Sequence, residues 1–334
     1  MGEALRQNRS SHWGSQQSDA DFRRAIDQLK SSVLMSGVVG MAVTLKRAGK
    51  EWKARCPFHA ERTPSFTVVD AHERAYCFGC AWQGDVLAFV MKVEGCSFRE
   101  AYRILASQDL PTWTPQEREK AQAEDRLERL ADEVAARQFF KEGQPVAGTD
   151  GEVYLRARGI TIDIPGDVRF GLVPAWRDKD TNQWGPRRPA LICGARDATD
   201  AIVGIQRIFF RNDNPALGKA DKKLSLGSIK GAAMHLGAAE ETVILAEGPE
   251  DGLSIVQEGP GHPVWVPFGT GCMPAVEFPP IVRRVIIAGQ NNTAGRVAAE
   301  KATIAFLDRG LDVGRACPAP QFDDWNDQLR AVAV

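Results

Sequence analysis

No run of about eighteen apolar residues occurs anywhere in these 334 residues, which excludes an ordinary membrane-spanning helix. The opening stretch MGEALRQNRSSHWGSQQSD has no apolar signal region, so no membrane partner is expected and a cytoplasmic setting is. Positive charge is not in excess. Lys and Arg number 42 against 43 Asp and Glu, a formal net charge of −1. That balance excludes a uniformly basic nucleic-acid binder but leaves room for local basic faces beside acidic ones. No GxxxxGK[ST] phosphate loop occurs, so no motor activity of that kind is expected. Cysteine is sparse: of seven, three cluster with a histidine while Cys96, Cys193, Cys272 and Cys317 stand singly. Such a distribution suits a metal site in a reducing compartment better than a disulfide framework. The length and a hydrophobic content of 43% allow two or three domains with real cores.

The stretch around which the rest is organised is Thr242–Ser254, TVILAEGPEDGLS. Val243, Ile244 and Leu245 form a short apolar run suited to a strand buried on both faces of a parallel sheet. Glu247 ends it, and Pro249 is well placed to start a helix carrying Asp251 one turn beyond Glu247. The carboxyl ends of such strands are where open α/β sheets place their ligands. A second unit repeats the pattern: Val285–Ala288, then GQNNTAG, then a helical stretch Arg296–Leu307. A late acidic cluster, Phe322-Asp323-Asp324-Trp325-Asn326-Asp327, follows.

Upstream, Cys56, His59, Cys77 and Cys80 are spaced C-x2-H-x17-C-x2-C. Two tight pairs brought together by intervening strands supply the four tetrahedral ligands of a structural Zn²⁺. Phe66, Val68, Tyr76 and Phe78 would build the small ribbon, and metal binding would contribute most of its folding energy. His72, isolated between the pairs, reads as a surface residue rather than a ligand. Residues 106–116 look like a linker, and 117–140 like a surface helix packing one narrow stripe through Leu127, Leu130, Val134 and Ala135. Ala190–Cys193 and Ile202–Phe210 read as strands joined by an Asp-containing turn. Lys219, Lys222, Lys223 and Lys230 read as loop residues of a basic segment suited to gripping phosphates.

LKRAGKEWKARCPFHAERTPSFTV…YCFGCAWQGDVLAFVMKVEGCSFREAYRIL closely resembles the zinc-binding domain of bacterial DnaG-type primases, over about residues 19–105. GTDGEVYLRARGITIDIPGDVRFGLV resembles the opening of the primase RNA-polymerase core. The strand–EG, strand–GxNxxxG and DDWND pattern resembles the Toprim fold. What this implies is a multi-domain α/β chain. A disordered N-terminus would cover 1–18, a zinc ribbon with helices 19–106, and a linker with its surface helix 107–144. A basic α+β subdomain of the primase core would follow over 145–238 and a Toprim α/β subdomain over 239–330, most like the variants of phages and mobile elements.

The resemblance further implies a DNA-templated RNA primase joining ribonucleoside triphosphates along single-stranded DNA, with a replicative helicase supplied in trans. No helicase-docking domain is expected after residue 330. In the ribbon, Lys53, Arg55 and Arg62 offer phosphate contacts and Trp82 a stacking face. Lys223 and Lys230, with Lys222, match the family's triphosphate grip, and Arg188 and Arg207 match positions flanking the template. Glu247, Asp251, Asp324 and Asp327 are the candidates for catalysis, with Glu247 and Asp324 holding Mg²⁺ or Mn²⁺. One departure matters: where the family has Asp-x-Asp, this chain has Gln290-Asn291-Asn292. An amide oxygen is a poorer Mg²⁺ ligand than a carboxylate, so two readings stand side by side. One is a primase, impaired or not by the two amides. The other is a weak or inactive relative that binds single-stranded DNA and recruits without polymerising.

Overall fold

The computed structural model describes residues 10–332 apart from 81, 179–180 and 260, and side chains from residue 21 to 331. The chain divides at Arg126/Leu127 into two compact units.

The first unit opens with helices α1 (Ser10–Ser32) and α2 (Met35–Gly40). Strands β1 (Lys46–Ala48), β2 (Glu51–Ala54), β3 (Phe66–Val69), β4 (Arg74–Cys77) and β5 (Gln83–Gly84) then form an antiparallel meander in that order. Helices α3 (Val86–Glu94) and α4 (Phe98–Ala106) follow. Local chemistry sets their ends. Asp85 accepts from the Ala88 N–H to start α3, Gly95 closes it with φ 63°, and Ser97 with Glu100 forms a full capping box on α4. One face of the sheet buries Phe66 and Val68 against Leu87, Phe89, Met35 and Val38. The ribbon therefore shares a helical core and does not stand alone.

Three expectations change here. Of the N-terminal segment expected to be disordered, residues 1–9 lie outside the described residues, but from Ser10 the chain is helical. The expected linker is tied down, since the Leu34 N–H donates to Pro111 O and the Trp113 N–H to Ser32 O. Helix α5 (Pro115–Glu142) buries Ala136, Phe139 and Phe140, while Leu127, Leu130 and Val134 are exposed. Its packed face thus lies near its C-terminal end, about a quarter-turn or more from the stripe the sequence favoured.

The second unit contains two sheets. Strands β6 (Gln144–Pro145), β7 (Val168–Pro174), β8 (Arg187–Arg196), β9 (Ile202–Phe210) and β10 (Ala220–Gly227) form an antiparallel sheet, with helix α6 (Asp150–Ala157) between the first two in sequence. Lys222 and Lys223 therefore sit on a strand, not in a loop. The other sheet has the order β11 (Met234–Leu236), β13 (Val264–Val266), β12 (Thr242–Ala246), β14 (Arg284–Ala288), β15 (Asp312–Ala316). All its pairs are parallel except β11 with β13, so it recruits a strand from ahead of residue 239. Helices α7 (Pro249–Glu258), α8 (Thr293–Leu307) and α9 (Trp325–Val332) complete it. β12 is central and its Val243–Ala246 are buried, as a strand covered on both faces must be. Leu191, Ile208 and Phe210 of the antiparallel sheet share one core with Ile244, Leu253 and Val266 of the parallel one.

Candidate functional site

In the ribbon, the two turns place four donor atoms, from Cys56, His59, Cys77 and Cys80, within 4.8 Å of one another. Cys56 Sγ lies 3.8 Å from Cys80 Sγ, and Cys77 Sγ 3.8 Å from His59 Nδ1. Around a Zn²⁺ with bonds of about 2.3 Å, the edge of a sulfur tetrahedron is about 3.8 Å, so the spacing fits. Backbone N–H groups of Phe58, Gly79 and Cys80 point at the Cys56 and Cys77 sulfurs, as negatively charged thiolates require. His59 Nε2 lies 3.3 Å from Glu61 Oε2, which orients the ring and leaves Nδ1 for the metal. Burial pushes the Cys56 thiol up to about 12. A dication is what makes four such groups tolerable together. His72 is elsewhere, 2.9 Å from Asp125.

The basic ribbon residues divide. Arg55 and Arg62 are exposed. Lys53 Nζ donates to Thr67 Oγ1 and lies 5.7 Å from the Phe78 ring centre. Trp82 is half-buried, its ring 4.7 Å from that of Phe58 and 5.6 Å from that of Phe66. It belongs mainly to the core. The open aromatic face is instead that of Phe78, 73% exposed between two of the zinc ligands. Phe78 was expected to build the ribbon. Its position within Cys-x2-Cys, directly after a ligand that must turn inward, is the signal that could have shown it facing out.

In the second unit, Glu247 follows directly on β12 and Gly248 starts α7, with Pro249 at its first position. The Gly269 N–H donates to Glu247 O at 3.0 Å. That loop passes through Phe268 at φ 64°, a conformation costing on the order of 1 kcal/mol that persists only where packing enforces it. Burial raises the Glu247 pKa, Lys223 opposes this, and Asp324 pushes it further up. Asp251 is pushed up to about 7, by burial first and then by Asp324. Asp327 is raised by burial and Asp324 too. Asp324 is thus the charge that the other three share.

The fit to Mg²⁺ is narrower than to zinc. Among the described residues no three carboxylates bring oxygens within 4.8 Å of one another, the ribbon's being the sole such cluster. Mg²⁺ keeps several waters and needs only one or two carboxylates, and Glu247 and Asp324 lie near enough for the Asp324 charge to raise the Glu247 pKa. Asp251 is engaged otherwise: Gln290 Nε2 donates to its Oδ2 at 2.8 Å and the Asn326 N–H to its Oδ1 at 3.2 Å. Asn292 Nδ2 donates to Gln290 Oε1 at 2.8 Å, and Asn292 Oδ1 caps α8 by accepting from the Gly295 N–H at 2.8 Å.

Lys223 Nζ donates to Glu250 Oε2 at 2.7 Å, and the Tyr154 hydroxyl to Glu250 Oε1 at 2.7 Å. Burial works against the Glu250 carboxylate, but Lys223, Tyr154 and Arg158 outweigh it and lower its pKa. Glu250 was not among the expected site residues. Lys222 and Lys230 are exposed. Arg188 donates to Asp213 and lies over the Phe209 ring at 5.4 Å. The expectation for Arg207 fails. Its side chain is buried, at 3% exposure, and its guanidinium donates to the carbonyls of Pro174, Leu224 and Ser225. Buried in this way, the guanidinium is not placed to reach a template phosphate.

Comparison with known proteins follows the same division. Residues 22–121 match the CHC2 zinc finger family, 131–236 a domain of unknown function (DUF7146), and 242–333 the Toprim domain family. A DNA primase of Chlamydia muridarum is 36% identical over 159 residues, 46% of this chain and 26% of that protein. A DNA primase of Haemophilus influenzae is 31% identical over 174 residues, 50% of this chain and 29% of that protein. The chain thus spans between a quarter and a third of the length of these curated relatives. The solved zinc-binding and RNA polymerase domains of the Aquifex aeolicus primase align over 92% of this chain and 84% of that one. The identity is 20% and the TM-score 0.43. Ribbon and Toprim domain on one polypeptide define a zinc-ribbon Toprim protein. Its zinc-ribbon segment and the stretches it shares with these curated proteins are similar to DnaG-type primases.

Proposed function

We propose that this chain makes short RNA primers on single-stranded DNA by metal-dependent nucleotidyl transfer, in the replication of a phage or mobile element. The observation that carries the reading is the meeting of Glu247, at the carboxyl end of a central parallel strand, with Asp324 and Lys223. Polymerisation needs a 3′-hydroxyl made more acidic, an α-phosphate held in line, and charge neutralised on the departing pyrophosphate. A bound Mg²⁺ or Mn²⁺ supplies the Lewis acidity for the first and last of these. Glu247 and Asp324 would hold it. Lys223, with Lys222 and Lys230, would clamp the triphosphate electrostatically, and Arg188 would flank the template. Asp327 and Asp251 would shape the field without ligating. The division into ribbon, linker helix, basic subdomain and Toprim subdomain is part of this reading, as are a cytoplasmic setting and a replicative helicase supplied in trans.

A second reading, a template binder with little or no polymerisation, is favoured by the amides at Gln290 and Asn292. Primer synthesis from labelled ribonucleotides on varied single-stranded templates, with Mg²⁺ or Mn²⁺, separates the two. The expected result is product that falls about a hundredfold or more in Glu247→Gln. Template binding with no product above that variant would favour the binder.

On the ribbon, Phe78 with Lys53, Arg55 and Arg62 would hold the strand to be copied. Phe78→Ala is expected to weaken single-stranded DNA binding by about 1–3 kcal/mol, the worth of one stacked base. Because the ring is 73% exposed, the melting temperature is expected to stay unchanged. Fluorescence anisotropy and a thermal melt on the same sample check both halves.

A further inference from the structure

The two amides that stand where the family has aspartates form a hydrogen-bond ladder whose direction the backbone fixes. The N–H of Gly295 can only donate, so Asn292 must turn its carbonyl oxygen to it. That leaves the Asn292 NH₂ facing Gln290, which must present its own oxygen in reply. The Gln290 NH₂ is then left pointing at Asp251 Oδ2. On its other side Asp251 accepts from the Asn326 N–H. Each oxygen of Asp251 therefore already accepts a hydrogen bond. Asp251 itself is buried, at 5% exposure. Glu247, by contrast, has no side-chain hydrogen-bond partner among the described contacts, and its electrostatic neighbours are Lys223 and Asp324.

We propose that the Gln290–Asn292 ladder withdraws Asp251 from cation binding, so that the Toprim site takes a single divalent cation, held by Glu247 and Asp324. A ladder ending in N–H groups does for Asp251 what a second cation would do. It places positive hydrogen-bond density against a buried carboxylate at no cost in bound metal. The gathering of no three carboxylates within 4.8 Å points the same way. Two ions about 4 Å apart need a donor set rich in negative charge, and at positions 290 and 292 this chain offers neutral amides. The inference takes the location of the site from the nucleotidyl-transfer reading. Its test reads cation binding alone, so it can fail while primers are made, or hold while none are.

The test is Mn²⁺ titration of the zinc-loaded full chain, followed by the loss of free-Mn²⁺ electron paramagnetic resonance signal, with zinc content and circular dichroism as folding controls. One Mn²⁺ per chain is expected. Glu247→Gln should weaken it more than tenfold, and Asp251→Asn less than threefold. Gln290→Ala changes no charge but removes the donor from Asp251, so it should tighten Mn²⁺ binding about tenfold or add a second site. Two Mn²⁺ per unmodified chain, none at all, or equal losses in Glu247→Gln and Asp251→Asn would overturn the inference. Should Asp251→Asn fail to fold, unchanged Mn²⁺ binding in Gln290→Ala overturns it by itself.

Discussion

Stripping zinc from the full chain is expected to unfold the sheet of the first unit while the second unit stays folded. The reason is the placement of the ligands at the two ends of the β3–β4 hairpin: Cys77 ends β4, and Cys56 and His59 lie in the connection between β2 and β3. Without the ion, three thiols and an imidazole would crowd into a space about 4.8 Å across with nothing to hold them there. In small zinc modules the ion contributes on the order of 10 kcal/mol, comparable to the whole stability of an ordinary domain. The helical core around Met35, Leu87 and Phe89 offsets part of that loss but not all. Amide hydrogen exchange is the measurement. Protection of Phe66–Val69 and Arg74–Cys77 should vanish below about one tenth of a zinc per chain, while that of Val243–Ala246 persists. Retained protection in the hairpin after complete chelation would rule out a structural zinc. Because thiolates and a neutral imidazole are the ligands, zinc affinity should also fall as the solution is acidified.

The second large effect is expected at Lys223. Its side chain is 38% exposed, but that of Glu250, with which it pairs, is only 6% exposed. Lys223→Met leaves that carboxylate with the Tyr154 hydroxyl and the field of Arg158. Breaking a buried pair from one side typically costs about 3–5 kcal/mol, and the lower figure applies where the lost partner was partly solvated. The double variant Lys223→Met/Glu250→Leu removes both charges and should recover to within about 1–2 kcal/mol of the parent. The sign of the pH dependence follows from the lowered Glu250 pKa. The contribution of the pair is complete above the ordinary glutamate value and is lost as the pH falls through the lowered one. The gap between parent and Lys223→Met should therefore close in acid. Exchange of the Val243–Ala246 amides reports the opening of this unit. A single variant no less stable than the double one would show that Glu250 does not depend on Lys223.

How much of this was legible in the residues varied with the range of the cause. The zinc ligands were, because metal coordination imposes fixed local spacings. So were β12, β14 and the helix after Pro249, each a short apolar run followed by a local start signal. β13 and β15 were not: β13 is only Val-Trp-Val, and β15 mixes Asp and Arg into an outer strand, so neither carries a periodic signal. Glu250 was missed because its partner lies 27 residues away on another sheet. Arg207 misled for the opposite reason, since a guanidinium in a strand reads as a basic face until the carbonyls around it are known. The ladder was half visible. Asn292 is a good helix cap by type, but which way Gln290 turns follows only from the fold.

β10, which carries Lys222 and Lys223, is an outer strand of its sheet, and its pairing with β9 is broken by a bulge at Asp221. An outer strand offers unpaired backbone groups to any other extended chain. Charged side chains and a bulge make that approach unfavourable. The lysines proposed to grip a triphosphate thus also guard the border where this protein would otherwise stack onto copies of itself.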